Sequence, residues 1–375
     1  MLVDIFEVSD KLEVSADDIV KAIKEHDFYQ FPGFPEYFRF KKKIGKAEEG
    51  TVVFPPHEIV QGFPKIRRVY CLKKGVEKHF KDYFYAEEKM NGYNVRTIMH
   101  QGKIYAITRK GIICPYTSKR IEKYVNPKFF TDFPKHMLIG EVVGLENPYQ
   151  MKSYSRARDF GYFIFDIREK ETNTALPVEE RRKIVEDYEM ANVPLLGKFS
   201  KKQVDDLFKK VVELGEKGGE GVVLKSPDSA IQIKYTCNTS TNDDLKYAFK
   251  FVFDYGQAFF FRRLVREAFQ AYERNLKGKE LEKEASELGK SILLPMVESI
   301  RQIAKGREVT EDFSIKVDNL EDLGKFVEHL GHLGVKITVR KKEKLKNGWK
   351  VYLSRRYPAT NDKIKHYLKG NLSEE

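Results

Sequence analysis

At 375 residues, with 41% of them apolar, the chain exceeds one ordinary domain and can bury real cores, which excludes an extended disordered polymer. Charged residues reach 33%, above the ~25% of average soluble domains, and Lys plus Arg exceed Asp plus Glu by 12, a surplus that draws polyanions, nucleic acid first among them. The three cysteines form no C-x-x-C pair for zinc or redox chemistry, and neither a signal-like N-terminus nor a run of about 18 apolar residues occurs, so a reducing, cytoplasmic setting with no membrane partner is expected.

Residues 1–65 contain SADDIVKAIKEH, a predicted helix with Ser15 as its N-cap, and alternating segments such as GTVVF, which together suggest a small accessory module. From 66 to 248 strand-like runs dominate: IRRVYCL, YNVRTIMHQGKIYAITRKG, HMLIGEVVGL, GYFIFDI, GVVLK and AIQIKYT. Two charged helices, PVEERRKIVEDYEM and KKQVDDLFKKVVELGEKG, lie among them without strict alternation, and the second ends at a Gly pair. The expected class is therefore α+β, built on antiparallel sheet. Between 249 and 312 the period turns helical: Phe261, Leu264, Val265, Ala268, Phe269 and Tyr272 form one apolar set, and Ile292, Leu293, Met296, Val297, Ile300 and Ile303 a second. Two such helices close on each other, the simpler expectation, or on a second copy of the chain. The tail from 313 to 375 reads strand, helix, strand, strand, a small α/β domain whose basic, aromatic surface is a candidate substrate clamp; disorder is expected only in the last few residues.

In EEKMNGYNVR, Lys89 precedes Asn91 and Gly92 where a strand runs into a tight turn. A lysine amine attacks phosphorus only when unprotonated, so a nucleophilic lysine needs neighbouring cations or burial, and Gly92 would let backbone approach a nucleotide. Alone, a Lys beside a Gly is an ordinary solvated turn. Its company gives it weight: TRKG with Arg109, GEVVG with Glu141, YFIFDI with Phe165 and Asp166, EGVVLK with Glu220 and Lys225, and IQIKYT with Lys234. Each also has a plain reading; Phe163 and Phe165, for example, alternate as any half-buried strand does.

These elements, in this order over residues 87–236, resemble the successive motifs of covalent nucleotidyltransferases, the polynucleotide ligases and messenger-RNA capping enzymes. Asn94 stands where DNA ligases and capping enzymes usually carry Arg and several RNA ligases carry Asn, and helices follow the last lysine motif in place of an OB-fold. The whole chain looks like the archaeal homodimeric ATP-dependent RNA ligases. That resemblance implies an ATP-grasp-like ligase core, ATP and magnesium (or manganese) as cofactors, RNA with 5′-phosphate and 3′-hydroxyl ends as substrate, and a homodimer. It implies that Lys89 attacks the α-phosphorus, that Lys225, Lys234 and Glu220 support the chemistry, and that Glu220 and Glu141 hold metal. It further implies Phe165 stacking on adenine, Glu87 beside the nucleotide, Asn94 and Arg96 on ribose, and Arg109 on the phosphate of the RNA end. Asn91 departs from the Asp of DNA ligases, and Gln232 replaces the first lysine of a Lys-x-Lys motif, which shifts its task toward Lys225. The rivals are a DNA ligase, a capping-type guanylyltransferase and a silent RNA-binding protein.

Overall fold

A computed structural model describes residues 2–25, 34–149, 154 and 156–372. The expected disorder of the last few residues falls on 373–375, outside the described residues. The chain opens with α1 (Ile5–Leu12) and α2 (Ala16–Lys24), followed by a small antiparallel sheet of β1 (Phe38–Arg39), β2 (Val52–Phe54) and β3 (Glu58–Val60). The hydroxyl of Ser15 accepts the amide of Asp18 at 3.1 Å and satisfies one of the free donors that begin α2, as the sequence predicted. Val8, Leu12, Ile19, Phe38 and Val53 form the core of this module.

The next segment begins with β4 (Arg67–Arg68), α3 (Leu72–His79), β5 (Tyr83–Lys89), β6 (Tyr93–His100), β7 (Lys103–Thr108), α4 (Pro115–Ile121) and α5 (Pro127–Asp132). It continues with β8 (His136–Val143), β9 (Gly161–Glu169), α6 (Val178–Asp187), β10 (Leu195–Ser200), α7 (Val204–Glu216), β11 (Gly221–Lys225), β12 (Gln232–Thr236) and α8 (Asn238–Lys250). Two sheets result, ordered β10-β5-β11-β12-β4 and β7-β6-β8-β9. They are antiparallel except that β4 joins β12 in parallel, so the expected α+β class holds. The strand expected over IRRVYCL shrinks to Arg67–Arg68, because Leu72 and Val76 turn into α3 to cover the five-stranded sheet. Period-two alternation then decides what each face of that sheet carries. Phe84, Ala86, Val222, Leu224, Ile233 and Tyr235 pack under α3 and α7. Glu87, Lys89, Val223, Lys225 and Lys234 point the other way.

The chain then forms α9 (Gln257–Glu273) and α10 (Gly278–Ala304), and ends in β13 (Thr310–Val317), α11 (Leu320–His332), β14 (Lys336–Leu345), β15 (Gly348–Arg356) and α12 (Pro358–Leu368). The expected closure of α9 and α10 on each other is replaced by packing of both on α8, which leaves much of their apolar sets uncovered. Phe261 stays 66% exposed, Tyr272 78% and Leu293 59%, whereas Arg266, Glu267 and Gln270 are the buried side of α9. The sheet of β13, β15 and β14 shares a core with α11 and the four-stranded sheet, through Leu353, through Phe326 and Leu330, and through Leu138, Val142 and Ile164 respectively.

Candidate active site

Lys89 ends β5, and Met90, Asn91 and Gly92 carry the chain from the five-stranded sheet into β6 of the four-stranded one. A cavity of about 500 Å³ lies at this crossing, of a size that suits a nucleotide-sized ligand. Gly92 lines the cavity, and glycine is required there for a further reason. A Cβ on it would sit 2.0 Å from the carbonyl oxygen of Val142, so the close approach is to β8, which pairs with β6.

The cavity is lined by Glu87, Lys89, Asn94, Arg109, Glu141, Phe165, Lys225 and Lys234. Glu220 joins them through Lys89, whose Nζ lies 2.5 Å from Glu220 Oε2. Glu141 stands opposite Asn94 in the β6–β8 ladder. Burial raises the Glu141 carboxyl to about 7, Lys89 opposing and Glu220 adding to the shift. Burial, together with the charges of Arg68, Lys89 and Arg109, lowers Lys234 to about 8. Asn94 Oδ1 is buried with no hydrogen-bond partner, an acceptor that a ligand's hydroxyl or amino group can satisfy.

Two expectations change. Arg96 is fully buried, and its guanidinium donates to the carbonyls of Gly50 at 2.6 Å, Val60 at 3.2 Å, Thr108 at 3.2 Å and also Gln61. It clamps the N-terminal module to β6 and does not reach the cavity to touch a ribose. The reason is depth: Asn94 and Arg96 share a strand face, but β3 and the loop after it close over position 96. Lys225 does line the cavity, yet its amine is engaged by Glu87 Oε2 at 3.1 Å, by the carbonyl of Phe165 and, at 3.9 Å, by Asp166. Gln232 donates to the same Asp166 carboxylate at 3.2 Å, so a neutral amide suffices where a second lysine was looked for. Lys234 and Arg109, by contrast, have no hydrogen-bond or ion-pair partner for their side chains among the described residues.

Sequence reasoning missed several contributors. Arg181 and Arg182 of α6 both pair with Glu87. Burial pushes that carboxyl up, but Lys225 and Arg181 outweigh it and hold it down at about 2. Tyr149 and Leu333 also line the cavity, the second from the end of α11, so the C-terminal domain forms part of its wall. The adjacent Arg pair in EERRK was a visible signal for the first contributor, whereas nothing local announces the contact of Leu333.

The profile of the RNA ligase family matches residues 82–252, and the profile of the family described as ligase Pab1020 C-terminal region matches residues 247–371. Two forms of an archaeal ATP-dependent RNA ligase are 36% and 35% identical, each with a TM-score of 0.92 over 99% of this chain and 100% of theirs. The chain belongs to the RNA ligase family. This ligase is thus of the nucleotidyltransferase type, and its fold is that of the archaeal enzymes. It is also 38% identical to an uncharacterized protein of Methanocaldococcus jannaschii, across 99% of this chain and 97% of that one. A structure from Aquifex aeolicus, provisionally assigned as an ATP-dependent DNA ligase, is 26% identical with a TM-score of 0.88 over 96% of the ligase and 100% of that chain.

Proposed function

We propose that this ligase joins RNA ends with ATP through a covalent AMP on Lys89. The observation that carries the reading is the convergence of Lys89, Glu220, Glu141, Lys234 and Asn94 on one cavity between two sheets. Lys89 Nζ gives up a proton, for which Glu220 Oε2 at 2.5 Å is the acceptor in place, and attacks the α-phosphorus of ATP. The bond from the α-phosphorus to the bridging oxygen breaks, pyrophosphate leaves with the electron pair, and a lysyl-AMP phosphoramidate remains. An oxygen of the RNA 5′-phosphate then attacks the AMP phosphorus; the P–N bond breaks and the amine regains a proton. Finally the 3′-hydroxyl attacks the 5′-phosphorus, its proton leaves, and AMP departs as the phosphodiester forms.

Lys234 and Arg109, with ammonium and guanidinium unpaired, supply charge to the phosphates, while Lys225 stiffens the wall through Glu87 and Asp166. Phe165 offers a ring face for adenine, and Asn94 a hydrogen-bond acceptor. Glu141 and Glu220, close enough to raise the Glu141 pKa, suit a hard divalent cation, magnesium or in its place manganese, that relieves their repulsion. Such an ion, once bound, supplies neutralisation of the phosphate oxygens.

The uncovered apolar residues of α9 and α10 support a homodimer that buries them. None of Cys71, Cys114 and Cys237 is in a disulfide, and among the described residues no helix is long and apolar enough to cross a membrane; both support a cytoplasmic enzyme. The proposed division of the chain is an accessory module at 1–65, the adenylation domain at 66–248, helices at 249–312 and an α/β domain at 313–375.

The test is Lys89→Ala incubated with ATP labelled at the α-phosphate. Covalent label disappears, whereas sealing of a pre-adenylylated RNA persists; undiminished labelling would overturn the assignment. The likeness to the Aquifex aeolicus structure favours a second reading, a DNA ligase. Nicked duplex DNA and single-stranded RNA offered side by side separate the two, and labelling with GTP in preference to ATP would indicate a capping-type enzyme.

A further inference from the structure

Beside the cavity, two arginines from distant parts of the chain meet without enough acid to satisfy them. Arg68 sits on β4, directly opposite Lys234 in the parallel ladder with β12, and so presents its side chain on the cavity-facing side of the five-stranded sheet. Arg266 comes from α9, within the C-terminal region, and is only 5% exposed. Its Nε donates to Thr241 Oγ1 at 2.8 Å, which fixes the fork, while its Nη2 makes no hydrogen bond. Arg68 Nη1 is likewise buried without a hydrogen-bond partner. The two acids that act on both arginines, Asp244 and Glu220, are already engaged. Asp244 Oδ2 receives Nε and Nη2 of Arg263, each at 2.9 Å, and lies 3.6 Å from Arg266 Nη2; Glu220 is held by Lys89. Burial and the neighbouring arginines lower the pKa of both Arg68 and Arg266, as crowded cations require.

Leaving two neighbouring guanidinium groups half satisfied, one of them beside a lysine, is costly unless a ligand completes them. The forks and the ammonium together match a tetrahedral oxyanion: guanidinium binds phosphate oxygens in parallel pairs, and Lys234 adds a point charge. We propose that Arg68 and Arg266 form a second phosphate subsite of this ligase, next to Lys234, in which α9 supplies half of the receptor. The inference rests on the reading of Lys89 as the adenylylated residue only for what the phosphate belongs to. Two sources share the chemistry: the β- and γ-phosphates of ATP, which leave as pyrophosphate, and the phosphates of the RNA strand.

The direct probe is inorganic pyrophosphate, titrated calorimetrically into the full chain. Arg68→Ala and Arg266→Ala are each expected to weaken its binding tenfold or more, with melting temperature followed in parallel. Asp244→Ala serves as the structural control, because it loosens the contact of α8 with α9 but removes a negative charge. It is expected to keep or tighten pyrophosphate binding. Sealing of a pre-adenylylated RNA forms the second arm. Weakened pyrophosphate binding with unchanged sealing assigns the subsite to the nucleotide; unchanged pyrophosphate binding with impaired sealing in both arginine variants assigns it to the RNA; loss of both means that it serves each in turn. Two results overturn the proposal: folded Arg68→Ala and Arg266→Ala proteins unchanged in both arms, or an equal loss in Asp244→Ala. Failure of Lys89 to take label would leave the pyrophosphate arm standing, so the two readings fail separately.

Discussion

The cavity and the helix α9 treat their polar residues in opposite ways. Around Glu87 opposite charges converge: Arg181, Arg182 and Lys225 surround one carboxylate. Along α9, Arg266, Glu267 and Gln270 face inward while Phe261 and Tyr272 face solvent. The Glu267 carboxyl is pushed up from its ordinary range by burial and by the Glu284 carboxyl beside it. The first arrangement belongs to a closed interior; the second fits the proposed phosphate subsite on one side and the proposed dimer contact on the other.

The largest effect is expected where the network is closed. Glu87→Gln leaves Arg181 and Lys225 short of a charge in the interior and should cost about 3–5 kcal/mol of stability, measured by denaturant unfolding. The pH dependence has a definite sign. The folded carboxyl is held at about 2, below its ordinary 4.5, so its contribution is complete above about pH 4.5 and is lost as pH falls toward 2. A stability that rises on acidification through that window would contradict the network. Lys234→Ala, which removes an unpaired cation, should leave stability almost unchanged but slow AMP transfer to the enzyme by roughly 100-fold, as loss of one preorganised donor does in other enzymes. With its pKa lowered to about 8, the Lys234 ammonium disappears as pH rises through that value. Apparent affinity for ATP should then fall by up to about tenfold per pH unit, and Lys234→Arg should flatten the profile. On the open side, Phe261→Ser is expected to move monomer stability by no more than about 0.5 kcal/mol. Light scattering should nevertheless show a shift from dimer to monomer, and an unchanged mass would remove α9 from the interface.

The strands, helices and most of the cavity were legible because alternation puts Glu87, Lys89, Val223 and Lys234 on one face while Phe84, Ala86, Val222 and Ile233 take the other. Depth and long-range closure were not. Asn94 and Arg96 have the same periodicity, yet one faces the cavity and the other is sealed beneath the N-terminal module by four carbonyls. The apolar stripe of α9 predicted a helix correctly, but hydrophobicity alone could not tell that its polar side would be buried against α8 through Arg266 and Thr241. Lys225 shows the same limit: its place beside the cavity followed from the motif, and its engagement by Glu87 and Asp166 depended on residues brought together only by folding.

The most direct test of the central claim is intact-mass and peptide mass spectrometry of the full chain after incubation with ATP and a divalent cation. One AMP per chain, mapped to Lys89 and discharged on addition of RNA bearing a 5′-phosphate, is the predicted result. An unmodified chain under those conditions, or AMP on a different residue, would contradict it.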